Sequence, residues 1–245
     1  MKLRNRLKLI EQKLFHPCPS FRCPLCDYLG PFVITNNRYM GRRYASSCPS
    51  CGAKERHRLE SVVWKRILSN TDVSNWTVVH FAPEAHLRRM LESQVLEYFA
   101  SDYSGNEQLQ LDITRLDLDD EFCHCVVANH VLEHVPDERK ALKEIHRILK
   151  PGGIALLPVP IYAEKTIEYG EPLECSGHWR APGPDYFDRL KDVFSQVDIT
   201  DSDDAPAEIQ PYLIECRNHW PTKGAPRVLP MNGFIFKEYI PVVRK

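Results

Sequence analysis

"NHVLEHVPDERKALKEIHRILKPGGIALLPVP", Asn129 to Pro160, is the stretch that decides the fold. Within it, "DERKALKEIHRIL" places Ala141, Leu142, Ile145, Ile148 and Leu149 on one helical stripe. "PGG" then ends the helix and turns into "IALLPVPI", an apolar run of strand length. A similar run, "HCVVANH", stands just upstream. Strand, amphipathic helix and strand in succession are the unit of a parallel sheet covered on both faces.

The same alternation extends outward. "WTVVHF" reads as a strand, and "PEAHLRRMLES" as a helix with Pro83 at its first position. "LEYFAS" and "LQLDIT" are further strands, and "YFDRLKDVF" is a further helix. "SQVDIT" and "NGFIFKEYI" are candidates for the closing strands. The class is α/β, in which ligands bind beyond the carboxyl ends of the strands. In "VVHFAPEAHL", Val78 to Leu87, a strand hands over to a helix where a nucleotide-type cofactor would be gripped. Such turns usually carry glycines, and this one has none.

The chain has 245 residues, enough for one ordinary domain plus a small module, and is 43% apolar. No apolar run approaches the roughly 20 residues needed to span a bilayer. The first residues, "MKLRNRLKLIEQKLF", alternate charge with Leu and Ile, with Leu3, Leu7, Ile10 and Leu14 on one face of a short helix. They lack the uninterrupted apolar region of a signal peptide, so a cytoplasmic protein is expected. The net charge of −1 is unevenly divided: residues 1–70 hold 14 Lys and Arg against 4 Asp and Glu, and residues 71–245 hold 18 against 29. Either an anionic partner for the first part or mutual neutralisation of the two parts accounts for this.

Four of the nine cysteines form two pairs, "CPLC" (Cys23, Cys26) and "CPSC" (Cys48, Cys51). Two residues between cysteines let both sulfurs reach one tetrahedral ion, and Gly52 lets the backbone curl beneath it. The pattern predicts a closed four-cysteine structural zinc ribbon, since about 50 residues with few large apolar side chains build little core unaided. Cys18 lies outside the pattern. Cys123, Cys125, Cys175 and Cys216 have no paired spacing and read as small buried hydrophobes. A helix follows in "KERHRLESVVWKRIL", with Arg56, His57 and Arg58 in or before its first turn. Cations there oppose the helix dipole, which fits an anion grip or, more blandly, a solvated helix start or a bridge to the acidic part.

Asn129 to Pro160 resembles the class I S-adenosylmethionine-dependent methyltransferases, type 11-like, in its succession of strand, "VLEHV", helix, "RILKPGG" and strand. The resemblance extends more weakly over residues 76–200. The N-terminal part resembles a bacterial branch in which two CxxC knuckles and an "ERHR" helix precede the methyltransferase domain. It implies a Rossmann-like seven-stranded sheet whose last strand is antiparallel, here "NGFIFKEYI". The expected organisation is a module of N-terminal helix, zinc ribbon and connecting helix over 1–70, and the methyltransferase domain over 71–245.

The family's acid-x-Gly-x-Gly-x-Gly turn falls on His80 to His86. His80 replaces the acid, and Ala82, Glu84 and His86 replace the glycines. The ribose-binding acid matches Asp102, with Tyr103 after it. The adenine-side Asp matches Asp112, with Ile113 beside the ring. The Asp that commonly starts the fourth strand is His124, and Asn129 and His130 close that strand over the cofactor. Phe81, Ala82, Pro83 and Glu84 form the rebuilt turn, with Glu84 a candidate partner for the cofactor's ammonium. The resemblance thus implies S-adenosyl-L-methionine as cofactor beside the structural zinc.

His130, Glu133, His134 and the later His178 are the candidate catalytic groups, able to take a proton from an acceptor. Some ubiquinone-pathway and plant small-RNA methyltransferases use an E-x-x-E-H set with a later His to hold a divalent metal. Here His130 stands where the first Glu would be, and a helix-capping or cofactor-lid role is the blander reading. Acceptor identity is not written in the residues: an anionic small molecule or glycan, an RNA met by the basic module, or no reaction at all on a binding scaffold remain open.

Overall fold

The computed structural model describes residues 7, 9, 10, 19–37, 41–216 and 234–245. Along the chain come strands β1 (Phe21–Arg22), β2 (Leu29–Gly30), β3 (Val33–Asn37) and β4 (Gly41–Ser47), then helix α1 (Glu55–Asn70). Strand β5 (Thr77–Phe81), helix α2 (Ala85–Leu91), strands β6 (Glu97–Asp102), β7 (Leu109–Gln110) and β8 (Cys123–Ala128), helix α3 (Glu138–Ile148) and strand β9 (Leu149–Leu156) follow. Next are β10 (Ile167–Glu168), β11 (Arg180–Ala181), helix α4 (Tyr186–Lys191), β12 (Gln196–Asp201), β13 (Leu213–Cys216), β14 (Phe234–Phe236) and β15 (Tyr239–Arg244).

Two compact units arise: Ile67–Thr200 with Tyr239–Lys245, and Met1–Arg66 with Asp201–Glu238. The first is built on a seven-stranded sheet of order β12-β15-β9-β8-β5-β6-β7. Strands β7, β6, β5, β8 and β9 run parallel to their neighbours, and β15 pairs antiparallel with β9. This is the expected Rossmann-like α/β architecture. All five residues of β5 are buried, as a central strand covered on both faces requires. Asp137 caps α3 by accepting from the Lys140 amide at 2.9 Å, and Ala141, Leu142, Ile145 and Ile148 are all fully buried. Deleting any one of these larger side chains would cost about 2–5 kcal/mol.

Strand β9 differs from expectation, for it begins at Leu149 and runs through the "PGG" stretch. Its register to β8 shifts between Cys123 and Cys125, a bulge that absorbs the glycines. A Cβ on Gly153 would lie 2.9 Å from the Lys150 carbonyl oxygen and 3.0 Å from that of His124, so only glycine permits the approach.

The compact units are drawn differently from the expected 1–70/71–245 division, with the described residues of Asp201–Glu238 grouped with those of Met1–Arg66. Strand β13 pairs with β4 (Ile214 opposite Tyr44) and with β14, giving the order β14-β13-β4-β3. "NGFIFKEYI" is therefore not one strand. Phe234–Phe236 enters this sheet, while Tyr239–Arg244 closes the seven-stranded one, and residues 232 and 233 lie outside the described residues. Of the predicted N-terminal helical face, Leu7 and Ile10 are helical but exposed, at 61% and 55%, while Leu9 is buried. Leu3, Leu14 and Cys18 lie outside the described residues. Cys123 and Cys125 are buried as expected, whereas Cys175 is only half-buried.

The basic first turn of α1 faces inward, not toward solvent. Arg58 is fully buried. Its guanidinium donates to the carbonyls of Ser46 (2.8 Å), Ala53 (2.9 Å) and Gln210 (2.8 and 3.1 Å) and lies 4.4 Å from the centre of the Phe32 ring. Glu55 is buried beside it, paired with Arg43 and accepting from the Ser46 hydroxyl. Burial pushes the Arg58 pKa down to about 10, which leaves it charged. Arg58→Ala leaves these buried carbonyls without their donor and removes a positive charge 4.0 Å from Glu55. It is expected to destabilise this unit by about 3–5 kcal/mol, read as a lower urea midpoint; an unchanged midpoint would refute the role given to Arg58.

Candidate functional site

A cavity of about 570 Å³ opens at the carboxyl ends of β5, β6 and β8. Pairing of Phe81 with both Ser101 and Ala128 makes the three strands stop at one level, so the residues that follow them meet. Phe81, Ala82, Asp102, Tyr103, Asp112, Ile113, His130 and His134 line the cavity. Pro83, Glu84, Asn129, Glu133 and His178 are not among the residues lining it. Leu111, Thr114, Val131, Val135, Pro136 and Trp179 also line it and were not singled out from sequence. Trp179 adjoins His178 in "SGHWRAP", which was the available signal.

The turn after β5 answers the missing glycine. Ala82 adopts φ +46, a left-handed conformation, and its amide donates to the Ser101 carbonyl at 2.7 Å. An alanine there costs on the order of 1–2 kcal/mol relative to glycine. Glu84 has an extended backbone and caps α2 without a side-chain cap hydrogen bond. Beneath the turn His80 is fully buried, with Nδ1 2.8 Å from the Tyr98 hydroxyl.

Asp102 accepts from the Ser104 hydroxyl through Oδ2 and from the Asn106 amide through Oδ1, both at 2.9 Å. Desolvation works against its charge, but these hydrogen bonds outweigh it and lower its pKa. Each oxygen retains a lone pair for a further donor such as a ribose hydroxyl. Asp112 is fixed in the same way by the Thr114 amide (2.8 Å) and hydroxyl (2.7 Å), which sets Ile113 against the core. Asn129 is 4% exposed, and neither its Oδ1 nor its Nδ2 has a hydrogen-bond partner among the described residues. Leaving such a group unpaired costs about 1–3 kcal/mol. The two oriented carboxylates, which do line the cavity, fit a polar cofactor there.

The other end of the site gathers imidazoles. His130 adopts φ +52, and its amide donates to the Pro158 carbonyl. Its Nδ1 lies 3.4 Å from Glu133 Oε1. Glu133 sits on the single turn Leu132–His134 and is buried. Burial would raise its pKa, but the hydrogen bond and charge of His130, with the fields of His178 and His134, hold it below the usual carboxylate range. The His134 and His178 rings meet edge to face, with centroids 4.6 Å apart. Burial lowers the His178 pKa to about 4. Glu133, His134 and His178 bring one ligand atom each within 4.8 Å of one another, a spacing open to a shared proton or to a cation.

Arg180 fixes this end. Its guanidinium donates to the carbonyls of Leu132 (2.7 Å), Val135 (2.8 Å) and Pro136 (3.0 Å), while the neighbouring Trp179 amide donates to the Glu133 carbonyl. The hairpin of β10 and β11 thereby carries His178 and Trp179 to the turn that holds Glu133.

In the other unit the four predicted zinc ligands converge. Cys23 Sγ lies 3.6 Å from Cys51 Sγ, and Cys26 Sγ 3.6 Å from Cys48 Sγ, with all four within 4.8 Å. Four thiolates about 2.3 Å from one tetrahedral zinc would stand about 3.8 Å apart. Both knuckles turn through a positive φ just after the second cysteine, at Gly52 (+87) and at Asp27 (+55). The residues present fit the ion.

Burial lowers the His80 pKa to about 3. The unfolded chain, with His80 near 6.5, binds more protons between these values, so stability falls as pH drops below about 6.5. From pH 7.5 to 5, His80 is expected to contribute a loss of about 2 kcal/mol, measured as the difference in urea unfolding between wild type and His80→Phe. Parallel pH dependences in the two proteins would contradict this.

Comparison with known proteins accords with this geometry. Residues 74–157 match the family model described as a methyltransferase domain. The fold is similar to that of an S-adenosylmethionine-dependent methyltransferase from Mesorhizobium loti, at 12% identity over 76% of this chain and 98% of that one, with a TM-score of 0.52. It is similar also to the [4+2]-cyclase SpnF, at 13% identity over 77% of this chain and 82% of that one, with a TM-score of 0.51. An uncharacterised 37.1 kDa protein in transposon TN4556 of Streptomyces fradiae is 40% identical over 58 residues, 24% of this chain; the match spans only 17% of that protein's length. Residues 74–157 thus match a methyltransferase domain in sequence, and the sheet they help to build has the fold of such domains.

Proposed function

We propose that the protein transfers a methyl group from S-adenosylmethionine to a small-molecule or glycan acceptor, and that its cysteine cluster holds one structural zinc. The observation that carries the first reading is a cavity with oriented carboxylates at one end and an imidazole–carboxylate cluster at the other. When bound, the cofactor supplies an activated methyl group on a sulfonium. Asp102 and Asp112 orient it, and Phe81, Ile113, Val131 and Trp179 exclude water around it. Much of the acceleration in such a displacement comes from positioning and desolvation.

His130 and His134, both lining the cavity, are placed to take a proton from an acceptor hydroxyl or amine. Glu133 holds the His130 ring in place through the contact at Nδ1. Among the described residues lining the cavity there is no Lys or Arg, so an anionic acceptor would meet its positive partner at these imidazoles. The alternative of RNA binding loses some of its support. Arg43 and Arg58, two cations of the basic segment, are buried against Glu55 rather than offered to a phosphate backbone.

Native mass spectrometry of the purified protein tests both readings at once. One zinc per chain is expected, lost on chelation together with the fold of its unit. A bound cofactor or its demethylated product is expected to raise the mass further, and a second, divalent metal at Glu133, His134 and His178 would show in the same spectrum. Zinc absent from freshly reduced protein would remove the ribbon. For the cofactor, Asp102→Ala is expected to weaken S-adenosylhomocysteine binding by roughly ten- to a hundredfold, measured by calorimetry. Equal affinities would show that the carboxylate does not face the ribose.

A further inference from the structure

We infer that the anion gripped by the basic helix α1 is the protein's own zinc–tetrathiolate cluster, with Arg58 and Lys65 as its counter-ions. The inference rests on the cysteine cluster holding zinc, as proposed above.

Four thiolates around one divalent zinc leave two net negative charges on the site. Cys23 and Cys48 are fully buried, so water does little to solvate that charge. A buried charge without an opposite partner is expensive, and cations close to the cluster would offset the cost.

Helix α1 supplies them along one face. Arg58 and Lys65 stand about two turns apart and so lie nearly one above the other. Each reaches one cysteine knuckle through a backbone carbonyl. Arg58 donates to the carbonyls of Ser46 and Ala53, which bracket the knuckle of Cys48 and Cys51. The Ala53 carbonyl also accepts from the Cys48 amide at 2.8 Å, so the guanidinium and a ligand residue share one acceptor. Lys65 Nζ donates at 2.9 Å to the carbonyl of Pro24, between Cys23 and Cys26. Phe32 packs with Cys23, Cys48 and Ala53, and its ring centre lies 4.4 Å from the Arg58 guanidinium.

The charge of Arg58 is not consumed by a carboxylate. Glu55 is paired with Arg43, and Arg58 approaches it only to 4.0 Å. These three buried groups set two cations against one acid, which leaves a positive charge over. The sulfurs of Cys23, Cys48 and Cys51 each act on Arg58 in the direction that favours its charged form. A neutral donor could satisfy one or two of the carbonyls; a guanidinium satisfies several and brings the charge as well. Zinc loading and the docking of α1 are therefore coupled.

The test is zinc titrated into the full chain in competition with a chromophoric chelator. Arg58→Gln is expected to weaken zinc by about tenfold or more. Cys51→His keeps a zinc-binding ligand set but removes one thiolate charge. In that background Arg58→Gln should cost at least about threefold less. Loss of the carbonyl hydrogen bonds alone would weigh equally in both backgrounds, so equal losses overturn the assignment. Lys65 is exposed, and its substitution should leave the fold intact. Lys65→Gln and Lys65→Glu both lose the ammonium, but only the second adds a negative charge. Lys65→Glu is expected to bind zinc about two- to fivefold more weakly than Lys65→Gln at low salt, and the gap should close in about 1 M salt. Equal affinities of these two at low salt overturn the assignment, and they decide it should an Arg58 or Cys51 variant fail to fold. If the wild type binds no zinc, the ribbon reading falls as well, which separates the two failures.

Discussion

The site depends on where three parallel strands stop. Backbone pairing ties Phe81 to Ser101 on one side and to Ala128 on the other, so β6, β5 and β8 end in register. Because successive strand residues face opposite sides of the sheet, that register also fixes which groups point into the layers and which emerge at the rim. Asp102, Ala82 and His130 emerge together as a consequence. The helices add burial through their apolar stripes and leave the rim open.

Given that rim, the absent glycines are less disabling than the bare sequence suggests. A glycine is needed where the backbone must enter the left-handed region or where a Cβ would collide. At the first of the three expected positions the chain enters that region with an alanine, the smallest residue that carries a Cβ, and secures it with the hydrogen bond from Ala82 to Ser101. The strain belongs with the site, since His130 carries the same conformation across the cavity mouth. Strain of this sort persists only where surrounding structure enforces it. Here the enforcing contacts are the Ser101 and Pro158 carbonyls.

Much of this was legible in the sequence, and the residues that were not share a physical reason. The stripe Ala141, Leu142, Ile145 and Ile148 declared a buried helix face through its period, and the cysteine spacing declared the ligand cluster. Asp102 and Asp112 were singled out through the family resemblance, which places an acid at the end of the second strand and another beside the adenine. What failed was long-range pairing. Strands β4 and β13 are some 170 residues apart, and no local periodicity reports that Ile214 lies opposite Tyr44. The division of "NGFIFKEYI" between two sheets has the same origin, because "FIF" and "YIPVV" are equally good strands and only their partners differ. Trp179 and Arg180 were missed because the excursion between β9 and α4 carries little periodic signal. The orphaned atoms of Asn129 and His80 are properties of packing and have no signature in composition or spacing.

The central claim is that a turn without glycine still holds S-adenosylmethionine at the ends of these strands. The most direct measurement is a calorimetric titration of the zinc-loaded full chain with S-adenosylhomocysteine near pH 7.5. The account expects saturable binding at one site per chain, with a dissociation constant in the micromolar range or below, about −8 kcal/mol or stronger. Absence of binding at millimolar ligand, in protein whose fold and zinc content are intact, would contradict it and leave the domain a scaffold that has kept its sheet and lost its cofactor.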